Sequence, residues 1–424
     1  MTMTAQTVQR NSAQYISPTR ERVMGVLFLS AAVAMWFFFL RNTEPGVLTT
    51  FGMTPGGSKV AAPDWVFETS FALQVLIFFT AFLGVYQLAR GFKQRTNLVL
   101  GIVSGFFIFA FLAWGTAGVS LNLAGLLRVM VIRSVPLTLG AFSGILCERS
   151  GVFNIAIEGM MLTAAFTATF FGSITQNIWI GLIAGSLSGM LLGGVLAVLA
   201  IKYKVDQIIA GTVINIFSTG LTSFLSAKFL QKYQQLNNPG RFPNWDLPGL
   251  SQIPFIGPIF FSHNLYVYSM YVLLIVLTVA LFYTRWGLRL RSVGEHPKAA
   301  DTLGIPVNRT RYMAVLLGGL MAGFAGTYFT LGSVGRFDEV LTAGRGFIAL
   351  AAMIFGNWHP FGAFGAGLLF GFSDSLAGKL TILRVPIHNK FLEMAPYLVT
   401  IIVLAGVIGR GQPPAAGGKP YEKE

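Results

Sequence analysis

Any chemistry done by this 424-residue chain must come from a few polar groups set among apolar ones. The densest group is Glu148-Arg149-Ser150-Gly151-Val152-Phe153-Asn154-Ile155-Ala156-Ile157-Glu158-Gly159, which interrupts two hydrophobic runs with two carboxylates, a guanidinium and two glycines. Charges in or beside a bilayer are costly, and they face a partner, an aqueous cavity or the interface. Backbone that leaves the helix at depth survives only where protein covers it or it lines a cavity. The same residues also read as an ordinary cytoplasmic loop with a capping carboxylate, and both readings stay open. Asp374, near the end of a glycine-rich apolar run, could couple proton movement, although bonding to Ser373 and Ser375 or an interfacial position is commoner for such a group. Arg345, between Gly344 and Gly346 at a predicted outer helix start, suits headgroup anchoring and gating equally.

Other chemistries lack their residues. His263, His296, His359 and His388 are scattered, with no paired-ligand spacing, so no metal site is expected. Gly378-Lys379 has neither the upstream glycine nor the following Ser or Thr of a phosphate-binding loop, so ATP hydrolysis by that route is excluded and the chain is not expected to be an enzyme. Cys147 is the single cysteine, which rules out an intramolecular disulfide and suits a small buried residue.

The elements that position these groups are membrane helices. Hydrophobic residues make up 54% of the chain and charged ones 11%, against about 25% charged in soluble domains, too few to cover a water-facing surface. About 20 mainly apolar residues cross a bilayer core as a helix. Such runs fall at 24–40, 69–89, 97–116, 121–146, 159–176, 178–200, 207–230, 264–284, 312–334, 346–377 and 394–409. The run 346–377 is too long for one span and reads as two segments meeting at Gly356-Asn357-Trp358-His359-Pro360. The fold class is therefore all-α, a polytopic helix bundle with broken helices.

Residues 1–23, 90–96, 147–158, 201–206, 285–311 and 410–424 hold 18 of the 30 basic residues. Placing them inside puts both termini in the cytoplasm. Basic residues distributed in this way, despite a net charge of +14, set topology and meet anionic headgroups, and no nucleic-acid partner is expected. The segments 41–68 and 231–263 become long outer connectors, and the last fifteen residues, rich in proline and glycine, read as a disordered tail. The basic residues before Met24 resemble a signal peptide, but without a small-residue cleavage site an uncleaved first helix is expected.

Two further patterns carry local structure. Gly181, Gly185, Gly189 and Gly193 fall every fourth residue, with Gly319/Gly323 and Gly367/Gly371 repeating the spacing, so other backbones can approach closely there. Within 285–311, Pro297, Ala299, Ala300, Gly304 and Pro306 bracket a helix of about two turns. Too short to span, that helix suits a grip by a soluble partner; an amphipathic surface helix without one is the alternative.

These residues also carry a resemblance. ERSGVFNIAIEGMM (148–161), GTVINIFSTGLTSFL (211–225), VGEHPKAADTLGIPVNRTRYMAVLLGGLMAGFAG (293–326) and TAGRGFIALAAMIFG (342–356) resemble permease subunits of bacterial ABC importers, the nucleoside and simple-sugar group within the branched-chain amino acid and monosaccharide class. The resemblance covers 121–409 as the permease core, between extra helices in 24–120 and a tail from 410. It implies a type II importer-like bundle in the bacterial inner membrane. The implied partners are a second homologous permease, an ATPase with two nucleotide-binding domains carrying ATP-Mg, and a substrate-binding lipoprotein; no cofactor is bound by this chain. It also implies a coupling helix at Glu295, Pro297, Ala299, Ala300, Asp301 and Gly304, and a small-molecule pathway near Phe153, Asn154, Glu158, Asn215, Phe217, Arg345 and Phe347. Phe153 and Phe217 could stack on a flat base, with core packing as the alternative. A secondary transporter driven by an ion gradient through Glu158 or Asp374 is the competing class, because broken helices serve that mechanism too.

Overall fold

A chain so apolar can satisfy its backbone in lipid only by closing each segment's hydrogen bonds within a helix. The computed structural model describes residues 18–382 and 413–423, and among them nine helices are long and apolar enough to cross a membrane. The expected span 394–409 lies outside the described residues.

The chain divides into two units, Met1–Gly52 with Pro63–Leu121, and Met53–Ala62 with Asn122–Glu424. In the first, α1 (Pro18–Ala34), α2 (Thr69–Ala89) and α3 (Thr96–Gly115) are the helices. Gly25 meets Leu88 and Gly84 meets Leu29, which lets α1 and α2 pack closely. The predicted connector 41–68 is partly folded: β1 (Leu48–Gly52) pairs antiparallel with β2 (Trp65–Glu68). Buried Thr49 shares a 2.7 Å hydrogen bond with Thr69, tying the hairpin to the start of α2.

The second unit contains α4 (Leu123–Glu148), α5 (Ile157–Thr175), α6 (Ile178–Ala197), α7 (Gln207–Leu225), short α8 (Ile256–Phe260), α9 (Leu265–Tyr283), α10 (Arg285–Glu295), α11 (Pro297–Thr302), α12 (Val307–Thr327), α13 (Arg345–Phe355) and α14 (Pro360–Ile382). The glycine stripe of α6 lies against that of α12. A Cβ on Gly193 would sit 3.0 Å from the Gly319 Cα, and one on Gly189 would collide with Gly323. Gly181 instead faces Ala168 and Gly172 of α5. Gly371 and Gly367 of α14 face Met130, Ser134 and Thr138 of α4. With no hydrophobic drive between helices in lipid, such backbone contact supplies the packing. On α7, Ile209, Val213, Ile216 and Phe224 are each more than half exposed, an apolar stripe that suits contact with lipid.

The predicted interruption of 346–377 is present. Asn357 (φ 53°) and Trp358 (φ 52°) both take left-handed backbone, ending α13 before Pro360 opens α14. Pro297 starts α11, and Gly304 (φ 79°) supplies the left-handed turn beyond it. Arg285–Glu295 lies between the expected spans and forms α10, whose buried Gly287, Leu290, Val293 and Gly294 recur with helical spacing. The expectation of a disordered tail is corrected for residues 413–423, which are held by specific backbone and side-chain bonds.

Candidate functional site: a half-helix between two carboxylates

The segment 149–156 is buried non-helical backbone rather than an ordinary exposed loop. Ser150, Val152, Asn154 and Ala156 are fully buried, and Glu148 and Glu158 nearly so. Ile157, the first residue of α5, packs beside Gly140 and Gly144 of α4. Those positions precede the end of α4 by one to two turns, so α5 begins roughly 6–12 Å in from that end. One of its free amides and a carbonyl just before it are satisfied from α7: the Asn215 carboxamide accepts from Gly159 N at 2.8 Å and donates to Ile155 O at 2.8 Å.

Glu158 faces a different helix. Its carboxylate accepts from the Thr342 hydroxyl (2.5 Å), Gly344 N (2.8 Å) and Gly346 N (2.6 Å). The first amides of a helix lack internal partners and carry its positive dipole end, so a buried carboxylate is well matched there. Close approach requires glycine: a Cβ on Gly346 would lie 2.5 Å from the Glu158 Cα. The chain entering α13 is strained to fit, with Val340 (φ 52°) and Ala343 (φ 46°) left-handed.

The other end of α13 is held by the same motif. Trp358 Nε1 donates to Glu148 at 2.6 Å, while Arg149 Nε donates to the Trp358 carbonyl at 3.1 Å. Thus α13, eleven residues and about 16 Å long, is fixed at its start by Glu158 and just beyond its end by Glu148 and Arg149. Sequence reading marked the Trp358 break and both glutamates but did not pair them.

Arg345 and Phe347 stand on the first turn of α13, beside the Glu158 contacts. Arg345 Nη2 is 3.9 Å from Asp374 Oδ2, and its guanidinium lies over the Phe329 ring. Asp374 pairs more closely with Arg133 of α4, at 2.5 Å. Its expected bonding to neighbouring serines is not seen: Ser375 donates instead to Leu126 O. Two guanidiniums therefore share one carboxylate, and these side chains are about one-third exposed on membrane helices, a cost accepted beside water or protein rather than lipid.

The remaining pathway candidates are dispersed. Asn154 is buried, with Nδ2 3.4 Å from the Ser143 hydroxyl and Oδ1 without a partner among the described residues. Phe217 is 55% exposed, next to Ile216 on the apolar stripe of α7. The Phe153 ring is covered by Gly417 and Gly418 of the tail. The structure thus groups Glu158, Asn215, Arg345 and Phe347 around the starts of α5 and α13, and leaves Phe153 and Phe217 outside.

At the neighbouring end of the bundle, Gly294 of α10 packs on the Arg149 carbonyl, connecting α10 and α11 to the Glu148–Arg149 turn. Glu295, His296 and Ala299 are exposed, and Leu303 is 82% exposed. The expectation that both alanines face a partner is corrected for Ala300, whose methyl is 2% exposed against Val293 and Val307. Asp301, half-buried, accepts from Gly304 N through its backbone carbonyl at 2.8 Å. Among the described residues no cluster of metal-binding side chains occurs.

A bundle of spanning helices with a half-helix anchored at depth defines a membrane transport protein. Residues 126–405 match the family described as branched-chain amino acid transport system, permease component. The guanosine ABC transporter permease protein NupQ of Bacillus subtilis is 42% identical over 302 residues, covering 69% of this chain and 95% of that protein. The nucleoside ABC transporter permease protein NupC of Lactococcus lactis is 42% identical over 306 residues, with the same shares. The putative glucose ABC transporter permease protein TsgC13 of Haloferax volcanii is 33% identical over 311 residues, 68% of this chain and 92% of its own length. No solved structure matches. The chain belongs to this ABC permease family.

Proposed function

We propose that this chain is the permease subunit of an ATP-driven importer for nucleosides or related ribose-containing molecules. The observation that carries the mechanism is α13, held at both ends by the 148–158 motif and joined through Gly294 to α10. On this reading an ATPase with two nucleotide-binding domains binds ATP-Mg and grips α11 on the cytoplasmic side, where both termini also lie. A second homologous permease completes the pathway, and a substrate-binding lipoprotein delivers cargo from outside. Displacement of α11 moves α10 against Arg149 and so shifts the anchors of α13, whose first turn, with Arg345 and Phe347, borders the pathway. In the gradient-driven alternative Glu158 and Asp374 would have to exchange a proton or ion while already held, Glu158 by three donors and Asp374 by two guanidiniums.

Uptake of labelled guanosine into proteoliposomes holding the complete complex tests this reading. The expected result is uptake that requires lumenal ATP and persists after ionophores collapse proton and sodium gradients. Gradient-driven uptake by this chain alone would overturn it.

A further inference from the structure

Residues 413–423 run across the α10–α11 end of the second unit and are bound to four separate places. Ala416 N donates to Gly294 O at 2.9 Å, and Ala415 N to the Glu295 carboxylate at 3.2 Å, both at the end of α10. Gly418 N donates to Gly151 O at 3.2 Å, within the buried turn after Glu148. Buried Arg311, at the base of α12, donates from Nη1 to Lys419 O at 3.0 Å. Lys204, in the connection after α6, pairs with Glu422 at 2.5 Å.

Packing follows the same course. The Phe153 ring fills the space over Gly417 and Gly418, and left-handed Gly418 (φ 74°) turns the chain there. Tyr421 packs against the cluster of Val293, Ala300 and Val307, the inner face of α11. A segment held at this many points behaves as part of the bundle, because fixing a flexible tail costs conformational entropy that only many simultaneous contacts offset.

The consequence concerns the outer face. With Ala300 turned inward, α11 presents Ala299, Lys298 and, just beyond, Leu303. A hollow of about 340 Å³ separates α11 from the tail, lined by Glu295, His296, Pro297, Lys298, Lys419 and Tyr421 among others. A protein groove that closed on α11 would meet the tail as the opposite wall of this hollow. We propose that α11 and residues 413–423 form one composite surface gripped by the ATPase, with the tail carrying displacement of α11 to Gly151 and the Glu148 turn. This rests on the reading of α11 as the ATPase contact.

The test uses the full chain in its complex. Cys147 is buried, so a single Ala415→Cys substitution at an exposed tail position gives a unique reactive thiol with its backbone bond intact. A short bismaleimide joins this thiol to a cysteine placed in the ATPase groove that receives α11. Tyr421→Ala and Gly418→Val are measured alongside for ATPase recovered with the tagged permease, for ATP-coupled uptake and for elution as a folded species. The expected result is an efficient adduct from Ala415→Cys and about a tenfold loss of recovered ATPase for folded Tyr421→Ala, because the tail loses the ring that fixes it to Val293, Ala300 and Val307 and the composite surface comes apart. Ala299→Arg separates the two levels of argument. If it abolishes ATPase binding while the tail variants bind and transport normally and no adduct forms, the composite surface is overturned and the α11 reading stands. If Ala299→Arg itself binds and transports normally, the α11 reading falls and the composite surface with it. If the tail variants do not fold, the adduct alone decides.

Discussion

Glu158 and Gly346 lie 188 positions apart in the chain, yet carboxylate and amide meet at 2.6 Å. The contact makes the start of α13 depend on a side chain from α5. Because Gly344 and Thr342 share the same carboxylate, Glu158→Ala leaves three donors at a nearly dry site without an acceptor. We expect a loss of about 3 kcal/mol in stability, and a fall in uptake per folded complex larger than that of Glu148→Ala. Thermal unfolding in detergent and uptake normalised to folded protein read the two separately; normal turnover in the folded fraction would reduce Glu158 to a cap.

The far anchor of α13 predicts a measurable coupling. Trp358→Phe keeps an aromatic ring but loses the pyrrole half of the indole with the N–H that meets Glu148 at 2.6 Å, at a cost of about 1–3 kcal/mol for the unsatisfied carboxylate and a further packing loss at this buried position. Glu148→Gln in the same background should cost less than it does alone, since the bond it weakens is already gone. A double-mutant cycle on unfolding midpoints measures this, and strict additivity would show that the pair contributes nothing.

Helix packing through glycine predicts intolerance at one position over its neighbours. Gly189 touches backbone of Gly323 on α12, whereas Gly194 has only the Leu316 side chain near it, at 3.4 Å from a built Cβ. Gly189→Val should exceed the ~1–3 kcal/mol of ordinary overpacking and abolish the folded peak in size-exclusion chromatography. Gly194→Ala should leave that peak unchanged.

His263 makes the connection before α9 sensitive to acid. It is 1% exposed, and burial pushes its pKa down from 6.5 to about 4, against the opposing effect of its bond to Ile259 O at 2.7 Å. The unfolded chain binds a proton near the ordinary value while the folded imidazole stays neutral to about 4. Its contribution is therefore constant above about pH 6.5 and turns destabilising as pH falls from there toward 4. Unfolding temperature against pH should show this decline, and His263→Gln, which can keep a donor toward Ile259 O, should flatten part of it. An unchanged slope in the variant would assign the acid sensitivity to other groups.

What the sequence determined by itself is what depends on near neighbours. Run length set the spanning helices, because a bilayer fixes how many apolar residues a helix needs. Glycine at every fourth position marked close-packing faces, since helical periodicity brings those residues into line. Pro297 and Gly304 bounded α11 through their own backbone preferences. The Trp358 break and the polar 148–158 stretch were legible as interruptions, but not what each one touches. Only the tertiary structure decided that Glu158 caps α13 and not merely its own helix, that Asp374 answers Arg133 more closely than Arg345, that Ala300 turns inward, and that residues 413–423 are tied down. A carboxylate, a small side chain or a glycine-rich tail has the same local propensity whichever partner it meets. These partners lie on other helices or in distant turns, and packing the bundle is what selects among them.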